Sequence, residues 1–105
     1  MKNKKEILEK IKNIVLKQEP KAKIYLYGSR ARGNAKSDSD WDLLILLSKE
    51  KITQNDEKNI SYSLYDLEFE TGEIIAPMIY SENEWNTKYK VTPFYKNIMR
   101  EGIKL

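Results

Sequence analysis

Apolar and polar positions alternate at helical spacing near the start of the chain and then give way to short apolar runs. From Lys4 to Leu16 the apolar residues recur every three or four positions, which predicts an amphipathic helix that Pro20 ends. The members of this stripe are Ile7, Leu8, Ile11, Ile14 and Val15. Ile24–Tyr27 and Leu43–Leu47 favour β-structure, so we expect two buried strands.

The segment between these strands is polar. Ser29–Ser39 allows about one helical turn, which Gly33 stops, followed by a loop that presents the second strand.

The pattern from Thr53 onward is ambiguous. Thr53–Leu67 predicts a helix capped by Thr53, with Ile60, Leu64 and Leu67 on one side. Apolar and acidic residues also alternate from Tyr65 to Glu70, as in a strand. We therefore predict a helix with an extended end that enters Thr71-Gly72.

The remaining elements are a strand and two short helices. Ile74–Tyr80 predicts a third strand, and Pro77 places it at a sheet edge because proline donates no backbone hydrogen bond. Ser81–Trp85 has capping-box spacing, and Pro93–Arg100 is a helix ended by Gly102.

Aromatic residues gather after the third strand, at Trp85, Tyr89, Phe94 and Tyr95. Two interpretations are open: the short helices cover an otherwise open sheet, or part of this surface meets another protein. Together the elements predict a small α/β (α+β) fold, a mixed sheet with helices packed on it, as one domain over residues 1–105.

Composition limits the possible chemistry. The chain has 105 residues with no cysteine and no histidine, so disulfides, thiolate zinc sites and histidine bases are excluded. No apolar run reaches the roughly 18 residues needed to cross a bilayer, and Met1–Glu6 lacks a signal-peptide pattern, so we expect a cytoplasmic protein without a membrane partner. The formal net charge of +3 is too dispersed to predict a nucleic-acid partner.

Rare residues concentrate at one place. Gly28 and Gly33 bracket two of the three arginines, Arg30 and Arg32. A glycine directly after a strand allows close approach to a ligand, and the following amides with the Ser29 hydroxyl can donate to phosphate oxygens. Either arginine could add charge-assisted hydrogen bonds, and Arg32 is the stronger candidate because it adjoins Gly33.

Two aspartates stand at the mouth of the second strand. If Asp40 and Asp42 are extended, their side chains point the same way and can share a hard cation such as Mg2+. Trp41 then points to the opposite face, which favours core packing. A phosphate-binding turn beside paired carboxylates indicates metal-assisted phosphoryl transfer, with Asp40 and Asp42 at the sheet edge and Ser29 facing them.

The sequence Gly28-Ser29-Arg30-Ala31-Arg32-Gly33, separated from Asp40-Trp41-Asp42 by a short polar loop, resembles the signature of the DNA polymerase beta-like nucleotidyltransferases. The order of elements over Ile7–Tyr80 is similar to that of the minimal members. The resemblance implies a nucleotidyltransferase fold, with Asp40 and Asp42 as catalytic Mg2+ ligands and Gly28, Ser29 and Arg32 binding ATP or another nucleoside triphosphate.

Minimal members of this kind resemble antitoxins encoded beside an all-helical HEPN toxin. The resemblance thus implies transfer of a nucleoside monophosphate to an acceptor hydroxyl, with a tyrosine of such a partner as one possible acceptor. The oligomeric state is left open.

This sequence departs from the family pattern at one point. The family's third carboxylate would fall near Ile75-Ala76-Pro77, where no side chain can bind a metal. Two hypotheses follow: an enzyme in which a partner or a nearby glutamate, Glu68, Glu70 or Glu73, completes the site, and a module that binds nucleotide or partner without turnover.

Overall fold

The computed structural model describes residues 4–105; Met1–Asn3, which the predicted domain and the signal-peptide argument include, lie outside that range. The helices are α1 (Lys4–Gln18), α2 (Ser29–Arg32), α3 (Gln54–Thr71), α4 (Glu82–Thr87) and α5 (Pro93–Glu101), and the strands are β1 (Lys23–Tyr27), β2 (Trp41–Leu47), β3 (Ile75–Ser81) and β4 (Ile103–Lys104). No helix in this range is long and apolar enough to span a membrane.

The four strands form one mixed sheet in the order β3-β2-β1-β4. β1 pairs antiparallel with β2 and β4, whereas β3 pairs parallel with β2 after the α3 crossover. β3 is an edge strand, as Pro77 predicts, and the predicted mixed α/β architecture is confirmed.

Side chains alternate along β2 and divide the core into two clusters. Trp41, Leu43, Ile45 and Leu47 pack against the apolar stripes of α1 and α3, on what we call the first face of the sheet. Leu44 and Leu46 lie on the second face, under α4 and α5, with Trp85 and Ile98. Trp41 is therefore a core residue, as expected, and is only 1% exposed.

The aromatic cluster covers the second face of the sheet. Trp85 is buried, and its ring lies perpendicular to that of Phe94, with centroids 5.6 Å apart. Tyr89 and Tyr95 also pack against Trp85. This packing is what the first of the two interpretations predicts. The helices that carry the cluster begin where predicted, after Ser81 and at Pro93, and Thr92 caps the second of them.

The extended end predicted for the third helix is wrong. α3 remains helical through Thr71 and ends at Gly72, which adopts the left-handed conformation, φ +75°. Leu64 and Leu67 face the core, while Tyr65 and Phe69 face outward with 52% and 95% exposure. The alternating apolar residues thus do not share one face, since Leu67 is buried while Tyr65 and Phe69 are exposed, and the alternation does not determine secondary structure. Thr53 caps this helix with Asp56 in a capping box, which confirms its predicted start.

The strand β4 has no counterpart in the sequence prediction. Its two residues pair with Tyr25 and Leu26 of β1, and both are exposed. Two exposed residues carry no periodic signal, so their sequence does not reveal this pairing.

Candidate active site

The turn between β1 and α2 depends on the freedom of a glycine. Gly28 has φ +76°, and its carbonyl oxygen accepts hydrogen bonds from the amides of Ala31 and Arg32, each at 3.1 Å. Ser29 follows as the first residue of α2, and Gly33 ends the helix in the left-handed conformation. The first amides of a helix have no intrahelical acceptor and so remain available to an anion.

The β1–β2 register brings the aspartates to this turn. Asp42 lies opposite Tyr27, one residue before Gly28. A Cβ built at position 28 would overlap Asp42 Oδ2 and lie 3.3 Å from its Cγ. The absent side chain of Gly28 therefore leaves room for the Asp42 carboxylate.

Asp42 points to the second face of the sheet, because it alternates with Trp41 and Leu43 of the first-face core. Asp40 precedes β2 and is exposed, whereas Asp42 is partly buried. The sequence predicted that the aspartates lie at the edge of the sheet. Because β2 is an inner strand, they lie instead at the end of a strand, not along a lateral edge of the sheet. The reason is that β3 pairs with the other side of β2.

The surroundings of Asp42 disfavour its negative charge. Burial raises the pKa of its carboxyl, the neighbouring Asp40 carboxylate raises this pKa further, and Arg32 opposes both by lowering it. The pKa of Tyr27 is likewise raised, mainly by burial and then by the charge of Asp42. A bound cation would relieve this concentration of negative charge.

Arg32 and Gly28 line a groove between α2 and α5. Its guanidinium is 3.6 Å from Glu101 Oε2 of α5, with the arginine side chain 48% exposed. Arg32 thus has one weak, solvent-exposed partner, which leaves it able to turn toward a phosphate.

Arg30 occupies a different environment. Its Nε and Nη2 both donate to the Ser39 carbonyl oxygen, at 3.1 and 2.8 Å. Its guanidinium carbon lies 4.0 Å from the centre of the Trp41 ring, and Nη2 is 3.6 Å from Glu73 Oε2. Arg30 therefore fixes the loop that precedes Asp40, and these contacts leave little freedom for the phosphate contact that the sequence left open.

The β2–β3 register shows which residue neighbours Asp42 on the third strand. Ala76 of β3 lies directly beside Asp42 of β2. Within residues 4–105 no three acidic side chains form a group able to hold a metal. The donors present fit a hard cation through two carboxylates, with the remaining coordination left to phosphate oxygens and water.

The three nearby glutamates have other partners. Glu68 Oε2 accepts a hydrogen bond from the Ile75 amide at 2.9 Å, and Glu70 pairs with Lys10 at 2.9 Å. Glu73 accepts a hydrogen bond from Trp41 Nε1 at 3.2 Å, on the first face of the sheet. Since Asp42 points to the second face, Glu73 lies on the wrong side to share its cation.

The structure thus sets Asp42 against Gly28, and Gly28 and Arg32 line one groove. Ser29 and Asp40 are the chain neighbours of these residues, at the start of α2 and just before β2. Sequence reasoning did not anticipate that Glu101 and Phe94 of α5 border the same groove. The sequence around Glu101 and Phe94 contains no pattern that indicates a contact with the distant Gly28 turn. Of the groove-lining residues that were not predicted, only Tyr27 could have been inferred from the sequence, because it immediately precedes Gly28.

Comparisons with known proteins agree with this fold. A family model described as nucleotidyltransferase domain matches residues 8–105. A toxin–antitoxin crystallised with AMP-PNP is similar in fold, with a TM-score of 0.66 and 18% identity over 91% of this chain and 69% of that chain. A mutant of the toxin–antitoxin MntA-HpeT gives a TM-score of 0.59 at 17% identity, over 100% of this chain and 72% of that chain. No functionally curated protein matches significantly.

Proposed function

Since the chain belongs to the nucleotidyltransferase domain family, we propose that it is a metal-dependent enzyme that transfers a nucleoside monophosphate from ATP or another nucleoside triphosphate to an acceptor hydroxyl. The observation that carries the proposal is the β1–β2 register, which sets Asp42 opposite Tyr27 and against Gly28. A carboxylate and a phosphate-binding turn then border one groove, as phosphoryl transfer requires.

Each residue has a distinct role in the proposed reaction. The amides at Gly28-Ser29 and the Ser29 hydroxyl hold the phosphates, and Arg32 neutralises their charge. Asp40 and Asp42 would hold Mg2+, which would supply charge neutralisation and alignment of the phosphates. The acceptor oxygen bonds to the α-phosphorus, the bond from that phosphorus to the bridging oxygen breaks, and pyrophosphate leaves.

The acceptor's proton needs a base, and Ala76 stands where a third carboxylate would lie. We therefore expect slow or no turnover by the isolated chain. A partner protein that carries both the acceptor and a base would complete the reaction.

The similar solved structures support a partner of this kind, because both are toxin–antitoxin assemblies and one was crystallised with AMP-PNP. We propose that this chain is a cytoplasmic single-domain antitoxin and that its acceptor is a hydroxyl, such as that of a tyrosine, on an all-helical HEPN-type toxin.

Nucleotide binding is tested by calorimetry. Mg-ATP should bind, and EDTA should abolish binding. Asp42→Ala and Asp40→Ala should each weaken binding by about tenfold or more, because metal sites lose about 10–100-fold even when only a ligand's hydrogen-bond partner is removed. Asp38→Ala removes the same charge from the exposed loop that carries Asp40 and is the matched control. Equal affinity with and without EDTA would remove the metal from the proposal.

Transfer is tested with ATP labelled at the α-phosphate. The chain and a helical protein encoded beside it are incubated with the label, and the helical protein should become labelled. Asp42→Ala should abolish the label, and Asp38→Ala should not. Label that survives Asp42→Ala would assign the chemistry to another protein.

A second function is favoured by the position of Ala76: a module that binds nucleotide, or a partner, without turnover. It predicts intact Mg-ATP binding and no label on any partner. If the isolated chain instead labels a simple acceptor, a glutamate must move to replace the third carboxylate. Glu68→Gln, Glu70→Gln and Glu73→Gln would then identify it.

A further inference from the structure

A groove lies beside Gly28, between α2 and α5. Its lining consists of Tyr27, Gly28, Arg32, Phe94, Asn97, Ile98 and Glu101, and its volume is about 250 Å3. This volume is below the roughly 300–1,000 Å3 of pockets that hold a whole drug-sized ligand. The groove therefore suits only part of a nucleotide.

Charged and apolar residues occupy different parts of this lining. The Arg32–Glu101 ion pair supplies charge, and the arginine lowers the pKa of the Asp42 carboxyl against the effects of burial and Asp40. Phe94 and Ile98 supply apolar surface, and Ile98 is 2% exposed. A ligand that is charged at one end and flat and apolar at the other matches this division.

The aromatic wall is fixed by packing. The rings of Tyr27 and Phe94 meet edge to face, at 83°, with centroids 5.6 Å apart. Tyr27 is also the register partner of Asp42, so this wall starts beside the proposed metal ligand. A planar base can pack on such a wall, because aromatic rings attract one another in stacked and edge-on arrangements.

Asn97 provides a polar group at the exposed side of the groove. Its Oδ1 accepts a hydrogen bond from Arg100 Nη2 at 3.0 Å, which orients the amide and leaves its NH2 group to donate. A ring nitrogen or a carbonyl oxygen of a base accepts such a hydrogen bond.

We propose that the groove between α2 and α5 is the nucleoside subsite of the enzyme, in which the base packs on Phe94 and accepts a hydrogen bond from Asn97. This assignment rests on the proposed function, because it requires the phosphates to lie at Gly28-Ser29. It adds a role for α5, which carries none of the residues that hold phosphate or metal.

The test compares two probes, Mg-ATP and Mg-tripolyphosphate, which has the phosphates but no nucleoside. The wild-type chain should bind Mg-ATP more tightly. Asn97→Ala and Phe94→Leu should each weaken Mg-ATP binding about three- to tenfold, the effect of one hydrogen bond or one aromatic contact. Neither change should alter the affinity for Mg-tripolyphosphate. Asn59→Ala, at an exposed position of α3, is the matched control.

The outcomes separate this assignment from the proposed function. Equal wild-type affinity for the two probes, or no loss of Mg-ATP binding in either variant, would overturn the nucleoside subsite and leave the proposed function standing. An equal loss for both probes would also overturn it, since the change would then act on the phosphate site or on folding, which thermal unfolding reports. Failure of the wild-type chain to bind either probe would overturn the proposed function and the subsite with it.

Discussion

Gly28 and Asp42 fit together only because Gly28 has no side chain. A Cβ at position 28 would overlap Asp42 Oδ2. The residue also holds φ +76° and ψ −157°, a conformation essentially restricted to glycine that costs a residue with a side chain about 1–3 kcal/mol. Two separate demands, one on backbone conformation and one on space, thus meet at the turn that the proposed function assigns to phosphate.

Gly28→Ala should therefore lower the free energy of unfolding by more than the conformational cost alone, by about 2–4 kcal/mol. It should also displace the Asp42 carboxylate and weaken Mg-ATP binding. Denaturant unfolding and calorimetry measure the two effects.

Gly72→Ala is the control for a glycine of positive φ with open space around it, although its backbone is left-handed, ψ 3°, whereas Gly28 has ψ −157°. Gly72 has φ +75°, and no atom lies within 4 Å of a Cβ built there. Its substitution should cost only the conformational part, about 1–2 kcal/mol, and leave nucleotide binding unchanged. Equal destabilisation by the two changes would mean that Asp42 moves aside at little cost.

Sequence patterns predicted most of this fold because the elements that matter are periodic. The apolar stripe of α1 and the aliphatic run of β2 each reflect the burial of one element against the core. The edge position of β3 follows from Pro77, which donates no backbone hydrogen bond. The same holds for the Gly28 turn, whose neighbours along the chain set its conformation. Candidate site residues that lie within one short segment, such as Gly28 and Ser29, can likewise be proposed from the sequence.

Contacts between distant segments are the part that the sequence conceals. Glu101 meets Arg32, and Glu73 meets Arg30 and Trp41, only because α5 and β3 return to the same end of the sheet. From the sequence, Glu73 is a candidate to replace the third metal-binding carboxylate. In the fold its partners are an arginine and an indole on the face opposite Asp42.

Arg30→Ala should destabilise the fold and loosen the loop before Asp40. The side chain is 13% exposed and combines hydrogen bonds to Ser39 with the stacking on Trp41, so we expect a loss of about 2–3 kcal/mol in the free energy of unfolding. Faster proteolysis within residues 33–40 would report the loosened loop.

Arg100→Ala is the control for Arg30→Ala, since this arginine side chain is 68% exposed and should cost no more than about 0.5 kcal/mol. Similar losses for both arginines would show that the loop is held by other contacts.

Glu101→Gln should tighten nucleotide binding. The ion pair with Glu101 competes with phosphate for Arg32, and its loss should strengthen Mg-ATP binding by up to about fivefold, the scale of an exposed ion pair of up to about 1 kcal/mol. The same change in an Arg32→Ala background should have no effect. If affinity rises equally in both backgrounds, the effect comes from the general potential of the groove and not from the release of Arg32.

Asp42→Asn should stabilise the fold while it removes the proposed metal ligand. Burial and the charge of Asp40 raise the pKa of Asp42 in the folded chain above its unfolded value. The folded state therefore holds its proton more tightly, and the ionised carboxylate destabilises the fold once the pH exceeds the folded pKa. Below the unfolded value, about 3.9, both states are protonated and the penalty vanishes.

The expected result is a higher melting temperature for Asp42→Asn than for the wild-type chain at pH 7, without Mg2+, and a difference that disappears as the pH falls below about 3.9. Asp38→Asn, in the exposed loop, should change the free energy of unfolding by no more than about 0.5 kcal/mol at either pH. Saturating Mg-ATP should reverse the order at pH 7, because it stabilises only a chain that binds it. A lower melting temperature for Asp42→Asn than for the wild-type chain, at pH 7 and without ligand, would mean that the carboxylate stabilises the fold. The inference that the ionised Asp42 destabilises the fold would then be wrong.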